Sequence, residues 1–126
     1  MKVRVETENA PKAIGPYSQA IKANGFLFIS GQIPVDPATG QMTAVDATAQ
    51  TKQVMENLGA ILVAEGLGFA DLVKTTVFLT DLVEFARVND VYGAYFETAP
   101  PARATIQVAA LPKGAKVEIE AIAALR

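Results

Sequence analysis

The chain has 126 residues, 51% of them hydrophobic, with eleven Lys plus Arg against thirteen Asp plus Glu, a net charge of −2, and neither cysteine nor histidine. That length suits one domain over residues 1–126, the scattered basic residues make no nucleic-acid footprint, and no run approaches the roughly 18 apolar residues of a membrane helix, so a soluble, cytoplasmic chain is expected. Disulfides, thiolate catalysis and imidazole acid/base chemistry are excluded with the residues that perform them, which leaves Arg, Lys, Tyr, Ser, Thr, Asp, Glu and backbone groups for any reaction.

Lys2 to Glu6 alternates, with Val3 and Val5 on one side, and predicts a short strand. TENAPKAIGPYSQA, with Pro11 and the pair Gly15-Pro16, predicts an ordered loop into a second strand near Ser18 to Ala23. Asn24-Gly25 before FLFISGQ predicts a hairpin through a type I′ turn, because both residues tolerate positive φ. Along that third strand Phe26 and Phe28 point one way and Leu27 and Ile29 the other, so both sides want burial. Two helices cover only one face of a five- or six-stranded sheet, and the other face is expected to pack on further copies of the chain in a closed homo-oligomer.

PVDPATGQM is turn-rich, after which Asp46 or Thr48 caps a helix whose Val54, Leu58, Ile61 and Leu62 fall on one stripe. Gly66 and Gly68 stop it. DLVKTTVFLT predicts a β-branched, two-sided strand. Asp81 and Glu84, spaced as a variant capping box, precede a second helix with Phe85, Val88, Tyr92 and Tyr95 or Phe96 along one stripe, ended by Pro100 and Pro101. PPARATIQVAALPKGAKVEIEAIAALR then supplies two last strands around LPKGAK. The order ββ(β)αβαββ predicts an α+β sheet with both helices on one face.

The last two strands carry the unusual charges. Alternation puts Arg103, Thr105 and Gln107 on one face of the first, and Glu118, Glu120 and Ile122 on one face of the second. An antiparallel pairing of suitable register would bring these faces together, and the turn leaves the register open. Arg103 is either half of a partly exposed cross-strand ion pair, worth well under about 1 kcal/mol, or a clamp whose rigid fork grips a carboxylate while a nearby glutamate handles water or a proton. Glu118 and Glu120 share a face, and the pattern does not choose between them. Tyr17 is a loop aromatic whose hydroxyl can orient a ligand. Ser30-Gly31 ends a strand and allows close approach to backbone. Asn89 is a poor helix former in mid-helix.

The motifs AIGPYSQA, SGQIPVDPATG, VKTTVFLTDL, VND and PPARATIQVAALPKGAKVEIEAIA, in this order over almost the whole chain, resemble the Rid (reactive intermediate deaminase) family, also called YjgF-like or L-PSP, in its enamine/imine deaminase branch. The resemblance implies a chorismate-mutase-like α+β fold, a mixed sheet of five to six strands and a homotrimer with sites in the clefts between subunits. It implies an enzyme with no cofactor or metal that hydrolyses 2-imino acids, of the kind formed when pyridoxal-phosphate dehydratases act on serine or threonine, to 2-oxo acids and ammonia. Carried over, Arg103 holds the substrate carboxylate, Glu118 positions or activates water, and Tyr17, the backbone at Ser30 and Gly31, Asn89 and Thr105 line the cleft.

The chemistry suits the residues available. An imine is already electrophilic, so water addition needs a held carboxylate, a positioned water and proton shuttling, none of which requires histidine. Some relatives are described as endoribonucleases or inhibitors of translation, a reading the missing histidine and basic stripe disfavour. A non-catalytic or chaperone-like trimer sensing a small carboxylate is the remaining alternative. Neither nucleic acid nor membrane is expected as a partner.

Overall fold

The computed structural model describes residues Met1 to Arg126. Its main elements are β1 (Val3–Val5), β2 (Ala20–Ala23), β3 (Phe26–Gln32), α1 (Ala47–Ala64), β4 (Leu72–Leu79), α2 (Phe85–Gly93), β5 (Ala102–Gln107) and β6 (Val117–Ala124). They form one six-stranded sheet in the order β1-β2-β3-β6-β4-β5. Every pairing is antiparallel except β4 with β5. Both helices pack on one face, giving the expected mixed-sheet α+β architecture. No helix is long and apolar enough to cross a membrane.

Local chemistry accounts for the boundaries. Asn24 and Gly25 both take positive φ, 51° and 83°, and Ala23 pairs with Phe26 across the two-residue turn. Asp46 caps α1 by accepting from the Ala49 N–H at 2.7 Å. At its other end Gly66 turns left-handed at φ 70°, while the Leu67 and Gly66 N–H groups bond back to the Leu62 and Val63 carbonyls. That pair of bonds is a Schellman cap, with Leu67 folded into the core.

The core lies between helices and sheet. Val54, Leu58, Ile61 and Leu62 of α1 are fully buried against Leu27, Val77, Val117 and Ile119. Buried polar side chains tie loops to this core. Gln19 accepts from the Thr7 N–H and donates to the Thr7, Ala10 and Pro11 carbonyls, fixing the long first loop. Asn57 donates to the Ile33 and Val35 carbonyls, and Gln50 accepts from the Lys116 N–H.

Four expectations need correction. Asp81 caps only a 3₁₀ turn at Leu82–Glu84, and Glu84 pairs with Arg87 at 3.3 Å instead of closing a capping box. Helix α2 ends at Gly93, well before Pro100, although Tyr95 and Phe96 still pack on the core. Phe85 lies outside that core, 39% exposed. The last two strands are not a hairpin, because β4 lies between β5 and β6 and takes up the pairing edge of each.

Candidate functional site

Strand register decides which charges meet. Thr75 lies opposite Arg103 and Phe78 opposite Ile106 on the β5 side, while Phe78 lies opposite Glu118 on the β6 side. Neighbours across a sheet share a face and successive residues alternate, so the odd separation of Thr75 and Phe78 puts Arg103 and Glu118 on opposite faces. By strand spacing they are also roughly 14 Å apart along the sheet. The polar faces of the last two strands therefore do not meet within one chain, and Arg103 has no glutamate partner. The ion pairs are Arg4–Glu6, Lys22–Glu65, Glu84–Arg87 and Asp71–Arg126.

One group of candidate residues gathers at the β5 edge, beside α2. Arg103 donates from Nη1 to Asn89 Oδ1 at 2.7 Å, and its guanidinium lies 5.6 Å from the Phe85 ring centre and 5.1 Å from that of Tyr92. The Tyr92 hydroxyl hydrogen-bonds buried Thr75 at 2.7 Å, and burial raises its pKa. Thr105 shares the Arg103 face and has a buried hydroxyl with no partner. Asn89, Tyr92, Phe96, Pro101 and Arg103 border an open depression of about 470 Å³.

A second group lies across the sheet. Between β3 and β6 the register shifts by one residue, so Ser30 and Gly31 form a bulge. The Ser30 hydroxyl donates to the Ser18 carbonyl at 2.6 Å and its N–H to the Gln19 carbonyl at 3.0 Å, which ties the bulge to the loop bearing exposed Tyr17. A side chain at Gly31 would run into the Glu118 carboxyl group, so glycine makes room for that carboxyl. Glu118 is half-buried, and desolvation, followed by repulsion from Glu120, raises its pKa above the ordinary value. Glu120 is exposed and borders, with Ser30, Lys74 and Thr76, a depression that Glu118 does not line. No three His, Cys, Asp or Glu side chains converge as metal ligands would.

The structure thus sorts the candidates into Asn89, Arg103 and Thr105 on one side and Tyr17, Ser30, Gly31 and Glu118 on the other. Sequence reasoning missed the placement of Phe85 and Tyr92 around Arg103. The available signal was their spacing with Asn89, at i, i+4 and i+7 of one helix.

Residues 7–125 match the family profile described as Endoribonuclease L-PSP. The 2-iminobutanoate/2-iminopropanoate deaminase of Bos taurus is 52% identical over 119 residues, covering 94% of this chain and 87% of its own. The crystal structure of a Rid-family protein from Yersinia pestis superposes with a TM-score of 0.97 at 52% identity, covering 99% of this chain and 100% of that one. Escherichia coli TdcF with bound serine superposes with a TM-score of 0.94 at 46% identity, over 98% and 99% of the two chains. With likeness of this degree along nearly its whole length, the chain belongs to the Rid family, also called YjgF-like or L-PSP.

Proposed function

We propose that the chain is a 2-iminobutanoate/2-iminopropanoate deaminase, which hydrolyses reactive enamine and imine intermediates of the 2-aminoacrylate type to 2-oxo acids and ammonia. The observation that carries this reading is an arginine with no acidic partner, held by Asn89 at the border of an open depression. Deaminase relatives at about half identity support it, as does serine, an amino acid with a free carboxylate, bound to a protein of the same fold.

In this reading Arg103 binds the substrate carboxylate bidentately and thereby fixes the imine carbon. Glu118 holds a water against that carbon and takes one of its protons as the C–O bond forms. Its raised pKa suits a group that must accept a proton and return it to nitrogen. Collapse of the resulting carbinolamine breaks the C–N bond, releasing ammonia and leaving the 2-oxo acid. Water is the only co-reactant, so no cofactor is called for. Tyr17, the backbone at Ser30 and Gly31, Asn89 and Thr105 line the cleft.

Arg103 and Glu118 occupy opposite faces of one sheet, so a single copy cannot bring both to one substrate. The reading therefore includes a homotrimer, cytoplasmic and of single-domain subunits, in which the Arg103 group of one subunit meets the Glu118 group of the next. The test is trapping with semicarbazide during in-situ generation of 2-aminoacrylate by a serine dehydratase. Faster oxo-acid formation with the wild type, absent with Arg103→Ala, is the expected result. No acceleration by a folded oligomer, or salt-dependent cleavage of RNA instead, would overturn the reading.

A further inference from the structure

Phe85, Asn89 and Tyr92 project from one face of α2, and Arg103 lies across all three. Asn89 occupies Nη1 at 2.7 Å, and an arginine only donates, so the Asn89 amide must turn its oxygen toward it. The two rings stand 5.6 and 5.1 Å from the guanidinium carbon, close enough for their negative faces to attract the cation. This cradle is anchored: Tyr92 is 5% exposed and bonded to Thr75, and Gln107 of β5 accepts from the Leu82 N–H at 2.8 Å just before α2 begins. Phe85 is different, since it is 39% exposed and stands outside the core.

A free arginine side chain samples many rotamers and loses them when it binds a ligand. With one Nη1 N–H engaged by Asn89, the Nε and Nη2 donors form an edge free to take a carboxylate in two parallel bonds. We propose that Phe85 is a positioning residue which, with Tyr92, holds the Arg103 guanidinium so that its free edge is presented to small 2-oxo and 2-imino carboxylates before they arrive. The inference rests on Arg103 being the carboxylate clamp of the proposed deaminase. Phe85 acts on binding, through Arg103, and not on the addition of water.

The test uses the full chain with Phe85→Leu, which removes the ring at an exposed position, and Phe85→Tyr, which restores one. Binding of 2-oxobutanoate is followed by calorimetry, turnover by the semicarbazide assay, and Tm by calorimetric melting. Phe85→Leu is expected to weaken binding and raise KM by roughly fivefold, with kcat changed less and Tm nearly unchanged, and Phe85→Tyr to recover wild-type binding. Wild-type affinity in Phe85→Leu overturns the proposal, as does a loss that Phe85→Tyr fails to recover. Because binding is measured without turnover, a wild type that binds 2-oxobutanoate but hydrolyses no imine would end the deaminase reading and leave the role of Phe85 to be decided by the binding arm. A wild type with no affinity for the carboxylate would overturn both.

Discussion

At Glu118, burial and the neighbouring Glu120 both oppose ionisation, so the folded chain holds a proton there more tightly than the unfolded chain does. With the folded pKa above the ordinary 4.5, stability falls as pH rises through the window between the two values, and above it the destabilisation is complete. Glu118→Gln cannot ionise and is expected to melt higher than the wild type at neutral pH, with the advantage fading as pH falls toward the ordinary carboxylate range. It is also expected to lower imine turnover by about 10²-fold. Melting curves across this range, paired with the trapping assay, check both, and an unchanged Tm at neutral pH would contradict the account of burial. Arg103→Lys keeps the charge but loses the planar fork, so KM is expected to rise by about tenfold or more while the fold persists.

The β3 bulge and the hydrogen bonds from α1 to the loops each hold a neighbouring element in place. Gly31→Ala puts a methyl group where the Glu118 carboxyl lies, and the carboxyl, at the end of a flexible side chain, is what yields. The expected outcome is a nearly unchanged Tm with a large loss of turnover. Asn57→Ala strips the Ile33 and Val35 carbonyls of their donor in the interior and is expected to cost about 2 kcal/mol in denaturant unfolding. The caps of α1, the Asn24-Gly25 hairpin and the stripe from Val54 to Leu62 were legible because they depend on residues close in sequence. The placement of β4 between β5 and β6 was not, since strand order is set by packing across the whole sheet. Phe85 was misread because helical periodicity identifies a face without saying what covers it, and here an arginine does. Gln19, Gln50 and Asn57 escaped notice because the partners that justify burying them lie in distant loops.

The sheet face away from the helices carries Phe26, Phe28 and Ile106 at 41 to 45% exposure in one copy, a broad apolar surface for a chain of this size. The two-sided pattern of FLFISGQ anticipated this face, although no sequence pattern could show that Arg103 and Glu118 lie on opposite sides of the sheet. Phe28→Glu is expected to shift the protein toward monomer in sedimentation and to abolish turnover together with assembly. A deaminase site shared between copies can be rebuilt by mixing the inactive Arg103→Ala and Glu118→Gln proteins through a dissociation and reassociation step and measuring imine hydrolysis. Random trimers of the two would pair an intact Arg103 with an intact Glu118 at about a quarter of the sites, so about a quarter of wild-type turnover is expected to return. Exchanged, folded trimers that stay as inactive as their parents would contradict it.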